Sequence, residues 1–133
     1  VVWQVQPGPD NWSLCEVMCH LRDVEREIHQ ARFQKVLAEP NAFLSGVNAD
    51  VWAADRDYGQ QDGRLARDEF LKARQQTVAI LNAIDDVSLW QRQARHAFFG
   101  PTTLQELVNL AVQHDDVHLA QIKALVGNGY LPK

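Results

Sequence analysis

The chain is poor in several features that would have pointed to particular functions. It holds only two cysteines, Cys15 and Cys19, too few for the disulfide framework of a small secreted domain. It has no excess of basic charge. Thirteen Lys and Arg stand against 17 Asp and Glu, giving a net charge of -4, which speaks against nucleic acid as a partner because phosphate binding needs a basic face. No apolar run approaches the roughly 18 residues of a membrane span, and no signal peptide is visible. The expectation is a cytoplasmic protein that acts on neither membrane nor nucleic acid. No strand-type alternation separates the helical stretches. The 133 residues suit one domain over 1–133, long enough to bury about two-thirds of its unfolded surface without covalent staples. The chain opens at Val1 without a methionine, and its first ten residues read as a connecting segment, so a preceding N-terminal piece is expected.

What is present is helical periodicity. Pro7, Gly8 and Pro9 break regular structure, with Trp3 free to pack back on the body. Ser13 then opens a helix, and Glu16 three residues later completes a capping box. Leu14, Val17, Leu21, Val24, Ile28 and Ala31 form its apolar stripe, and Pro40 stops it after about Ala38. A short helix is expected over about Asn48–Asp57, with Trp52 and Tyr58 to bury. A long one follows over Leu65–Ile84, with Ala66, Phe70, Ala73, Thr77, Ile80 and Ile84 at steps of four and three, and Leu71, Val78 and Leu81 widening the face. Residues 85–102 read as a connection ending at Gly100-Pro101. Thr103 with Glu106 makes a second capping box for a last helix to Val126, closed by Gly127-Asn128-Gly129. The fold class is all-α: an up-down helical bundle of three long helices and one short one, which a fourth would close better, supplied by a preceding N-terminal piece or replaced by the short segment near Trp52.

The last helix carries the chemistry. Its stripe of Leu104, Leu107, Ala111, Ile122 and Leu125 runs through His114 and His118, so two histidines at i and i+4 lie on the face turned to the core. Such a pair can hold one metal ion through neutral ring nitrogens, or each imidazole can be satisfied by a carbonyl or by Asp115 or Asp116. His20 flanks the stripe of the first helix, some 60° from Val17, and can point into the bundle or sit at its boundary with a hydrogen bond. Cys15 and Cys19, one turn apart on one helix, read as small apolar fillers. Arg74 is either an ion-pair residue or a holder of an anionic substrate. Trp52 and Tyr58 are anchors of their segment or cover for a site. His96, among loop residues, is a surface histidine or a substrate contact. Asp115 and Asp116 are expected to be exposed.

Several features align in order: Trp12-Ser13 with Glu16, His20-Leu21-x-Asp23-x-Glu25, then Trp52, Asp55 and Tyr58, Phe70 and Arg74, Gly100 with Thr103-Leu104, and a terminal H-x-x-x-H followed by Gln121-Ile122. From Trp12 to Leu125 the chain resembles the DinB-like, or YfiT-type, superfamily of four-helix bundles, and within it the DinB_2 branch. The resemblance implies a divalent metal held by one histidine of an early helix and two of the last, here His20, His114 and His118. It also implies a first helix before the Trp-Ser motif, which this chain departs from by lacking. Three neutral histidines leave coordination positions open, the pattern of a catalytic site, and imidazole suits zinc, nickel, iron or copper.

By the same resemblance the expected activity is that of a metal-dependent thiol S-transferase using bacillithiol or mycothiol, a mycothiol-dependent maleylpyruvate isomerase, or a hydrolase of a small substrate. Glu16, Asp23 and Glu27 are the nearest carboxylates for general-base or supporting work; otherwise they are a cap and a solvated face. The alternative is a non-catalytic bundle that binds a metal or ligand and pairs with a second copy through its wide apolar faces.

Overall fold

A computed structural model describes residues 2–127. Helices dominate it. The first, α1, spans 14–38 without a break in direction but with a change of winding: α-helical over Leu14–Val24, a π turn over Glu25–His29, then α-helical again over Gln30–Ala38. A short α2 covers Trp52–Asp55, α3 covers Gly63–Asn82, and α4 covers Leu104–Gly127. Both α3 and α4 pack on α1. The last helix includes Gly127; Asn128 and Gly129 lie outside the described residues.

The Ser13–Glu16 capping box is complete, with Glu16 N–H donating to Ser13 Oγ and Ser13 N–H to Glu16 Oε1. The second box is only half formed. Glu106 N–H donates to Thr103 Oγ1, but the Glu106 carboxylate accepts from the Thr102 hydroxyl instead. Helix α3 starts two residues before the expected Leu65, because Asp62 accepts from Leu65 N–H and caps it there. Gly63 is required at that point: a Cβ would meet the Trp3 ring at 2.8 Å and the Cys15 backbone at 3.0 Å.

The π turn corrects the α1 stripe. Gln30 N–H donates to the carbonyl of Glu25, five residues back, so everything beyond is turned by about one residue relative to a pure α-helix. Leu14, Val17, Leu21, Val24 and Ile28 are buried as expected, but Ala31 is exposed and the stripe continues at Phe33 and Val36. On α3, Ala66, Ala73 and Thr77 are buried, whereas Leu71 and Val78, expected to widen the inner face, point outward.

The connections carry a small sheet that the sequence pattern did not show. Strand β1 (Ala42–Leu44) runs parallel to β2 (Gln93–His96), which pairs antiparallel with β3 (Gly100–Thr103). Gly100, at φ +71°, takes the left-handed conformation the hairpin needs. Leu44 and Ala94 face a core cluster with Phe33, Val36, Leu104, Leu107 and Ala111, and Ala42 is buried too. A second cluster at the other end joins Trp3, Leu14, Val17, Leu21, Tyr58, Ala66 and Leu125. Cys15 and Cys19 belong to it as free, buried thiols. Between the two clusters α1 and α4 present polar side chains to each other.

Near the second cluster, Asp23 ties α1 to the connection after α2. It accepts from Arg22 Nε at 2.8 Å, Arg56 Nη1 at 3.0 Å and the Tyr58 hydroxyl at 2.6 Å. Burial acts against the charged carboxylate, but these bonds outweigh it and hold the Asp23 pKa below its ordinary value. Asp23→Asn is expected to cost about 1.5–3 kcal/mol, the range for hydrogen bonds to a charged partner. A urea midpoint equal to that of the unmutated protein would show that the network adds nothing.

Candidate metal centre

His20, from the first turns of α1, and His114 and His118, one turn apart on α4, come together between the two apolar clusters. His114 Nε2 lies 3.1 Å from His20 Nε2 and 3.1 Å from His118 Nε2, and the three donor atoms fall within 4.8 Å of one another. Nitrogens held about 2.0–2.1 Å from one tetrahedral ion would stand about 3.3 Å apart, so this spacing fits a shared cation. His118 Nδ1 hydrogen-bonds Gln121 Oε1 at 2.8 Å, which places the proton on Nδ1 and turns the Nε2 lone pair to the cluster. Nδ1 of His20 and of His114 are buried with no partner among the described residues. Trp12 backs the group, stacked 8° from the His118 plane and 4.8 Å from the His20 ring.

Two of the three imidazoles are held neutral by their surroundings. Burial first, then the neighbouring histidines, push His20 down to about 3 and His114 down to about 4. In the unfolded chain both titrate near 6.5. Their folded-state pKa values are depressed, so the stability they allow is present above about pH 6.5 and is lost as pH falls toward the folded values. Chelator-treated protein is therefore expected to melt at progressively lower temperature from pH 7 to pH 5, with unfolding taking up as many as two protons per chain. A melting temperature flat across that interval would contradict the depressed values.

A cavity of about 490 Å³ opens on the cluster. His20, His114 and His118 form one end; Val24, Ile28, Phe33, Leu107, Leu110 and Val117 supply apolar wall; Val47–Asp50 and Phe99, from the loop after β1 and the β2–β3 hairpin tip, roof it. A fourth histidine, His29, also lines it. Its ring lies 5.3 Å from that of His114, edge-on, and its buried Nε2 has no partner among the described residues. Burial lowers its pKa, so it too is neutral near pH 7.

The other residues singled out from the sequence are not in the cavity lining. Glu16 closes its capping box and accepts from Gln6. Glu27 holds Arg56, whose guanidinium lies 4.0 Å over the Trp52 ring. Tyr58 is fully buried and donates to Asp23. Arg74 is an interhelix ion-pair residue, bridging Glu25 and Asp115. Asp115 is accordingly half-buried, contrary to expectation, while Asp116 is exposed. His96 is no surface residue: it is 5% exposed, and its Nδ1 accepts from Phe98 N–H and Phe99 N–H, shaping the hairpin tip. What the sequence reading missed is His29, which a pure α-helix would put about 180° from His20.

Among the described residues, no helix is long and apolar enough to cross a membrane. No curated protein matches the chain. Its fold is similar to that of YfiT from Bacillus subtilis, described as a probable metal-dependent hydrolase with an unusual four-helix bundle topology, with a TM-score of 0.82 and 20% identity over 98% of this chain and 74% of that one. At that identity the likeness is one of fold. The DinB_2 family model matches residues 2–122, and the chain belongs to the DinB superfamily.

Proposed function

We propose that this protein is a divalent-metal-dependent enzyme acting on a small molecule, with His20, His114 and His118 as the protein ligands. The observation that carries the reading is the meeting of three Nε2 atoms at the end of a cavity large enough for a small substrate. Three neutral imidazoles suit zinc, nickel or iron and leave positions open. A divalent ion there supplies Lewis acidity, lowering the pKa of a water or thiol beside it and polarising a substrate oxygen. Hydrolysis and transfer to a low-molecular-weight thiol such as bacillithiol or mycothiol are the two reaction classes this supports. The fold likeness to YfiT, described as a probable metal-dependent hydrolase, supports the first.

The chain's own residues define the rest. Gln121 fixes the tautomer of His118, and Trp12 restrains the His118 and His20 rings from the side away from the cavity. The apolar walls exclude water from most of a bound molecule. His29, neutral and unpartnered at Nε2, offers a hydrogen-bonding group beside the reacting end. Among the described residues, the only acid lining the cavity is the exposed Asp50.

The test is elemental analysis of protein purified without chelator, followed by titration of chelator-treated protein with zinc, nickel and ferrous iron. The expected result is one ion per chain, with activity on thiol or ester substrates lost on chelation and restored by the ion. Absence of bound metal together with no uptake would overturn the reading.

A further inference from the structure

Arginine is seldom left half-buried without an anion or a helix end to face. Arg22 pairs with Asp23 and Glu69, Arg56 with Asp23 and Glu27, and Arg74 with Glu25 and Asp115. Arg92 lies against the carbonyls of Val36 and Leu37 at the end of α1. Arg32 is the exception among the half-buried arginines described. It makes no ion pair, and its guanidinium donates a single hydrogen bond, Nη2 to the Ser45 carbonyl at 2.9 Å. Five N–H donors are available, so most are uncommitted.

Arg32 lines the cavity that ends at the three histidines, and among the described residues it is the only Lys or Arg that does. Burial lowers its pKa, and no ion pair among the described residues offsets it. The π turn is what brings it there. A pure α-helix would set Arg32 about 120° from His20; the extra residue in the π turn reduces this to about 20°. His29, Arg32 and Phe33 then share a wall with His20. A cation lining the same cavity as Ile28, Phe33 and Val47, some three turns along α1 from His20, is the arrangement expected where one end of a ligand is charged and its body is apolar.

We infer that Arg32 is the anion-binding residue of this cavity, and that the ligand it receives is a small carboxylate with an apolar body, its acid on the guanidinium and its remainder extending toward the histidine cluster. This rests on the reading of the cavity as the substrate site. Of the two ends, the histidines would hold the reacting group and Arg32 would set orientation and specificity.

The experiment uses full-length, chelator-treated protein, so that no metal competes for the acid. Hexanoate and its uncharged isostere hexanamide are titrated by ligand-observed NMR into the unmutated protein, Arg32→Met and Arg32→Lys, at pH 7. Neither probe carries a thiol, so a thiol-binding mode does not contribute. The expected result is hexanoate at least tenfold tighter than hexanamide, with the preference abolished in Arg32→Met and partly kept in Arg32→Lys. Equal binding of the two probes by the unmutated protein, or a preference that survives Arg32→Met, would overturn the assignment. The unmutated comparison decides even if a variant fails to fold. Metal uptake is read separately: discrimination without uptake leaves the subsite standing and removes the metal, and uptake without discrimination does the reverse.

Discussion

His114→Ala is expected to abolish stoichiometric metal binding while leaving the metal-free fold nearly as stable as before. His114 is the central member of the cluster, 3.1 Å from each of the other two Nε2 atoms, so its removal leaves two donors that do not share a close neighbour. Altering partners that merely orient ligands costs 10–100-fold in affinity. Loss of a ligand itself should exceed the upper end, more than about 100-fold. The stability side follows from burial. The His114 Nδ1 has no partner, so the imidazole carries a desolvation cost that alanine removes, offsetting the packing it loses. The net change in the metal-free protein is expected within about 1 kcal/mol. Thermal melts with and without added zinc separate the outcomes. The unmutated protein should rise with metal, by about 4 kcal/mol of stabilisation at a thousandfold excess over Kd, and the variant should not respond. If the metal is structural instead, His114→Ala will melt far below the unmutated protein purified with its metal, and that melting temperature will track metal content. A variant that still binds one ion per chain would remove His114 from the ligand set.

The parts of this site that were legible in the sequence are those carried by regular α-helix. Leu104, Leu107, Ala111 and Leu125 are buried, and His114 and His118 lie on the same face, because nothing in α4 disturbs the period of 3.6. His20 needed only the α-helical first part of α1. What could not be read lies beyond the π turn. A π turn leaves no compositional mark, and extending the strict spacing past Ile28 selected Ala31 and hid His29 and Arg32. One signal was available: Phe33, five residues after Ile28, is a far larger apolar group than Ala31 and marks where the stripe resumes. The sheet was missed for a different reason. Strands of three or four residues are too short for alternation to stand out, and Pro101 lies within one of them. His96 is buried by the same sheet, paired opposite Leu44 and Gly100 with Phe99 against its ring, contacts that a loop reading could not supply. Glu16, Glu27 and Tyr58 were weighed for chemistry because carboxylates and phenols near a motif invite it; each instead meets a cap, cation or acid of the scaffold.

Arg74→Met is expected to lower folding stability by about 3–5 kcal/mol, a large share of the 5–15 kcal/mol typical of such a domain. Glu25 opens the π turn and its side chain is 1% exposed. Arg74 meets it with two bonds, Nε to Oε2 at 3.0 Å and Nη2 to Oε1 at 2.8 Å. The same guanidinium meets Asp115 at 2.8 and 2.9 Å. One cation from α3 therefore neutralises acids on α1 and α4. Without it Asp115 can turn to solvent, but Glu25 cannot. An unpaired carboxylate in that position keeps its desolvation cost without the cation that offset it. The double change Glu25→Gln with Arg74→Met should be less destabilised than Arg74→Met alone, because no buried charge remains. Urea unfolding of the unmutated protein and the two variants at pH 7 reads both effects. An Arg74→Met protein within about 1 kcal/mol of the unmutated one would mean that water reaches Glu25, and that the bridge does not hold the π turn in place.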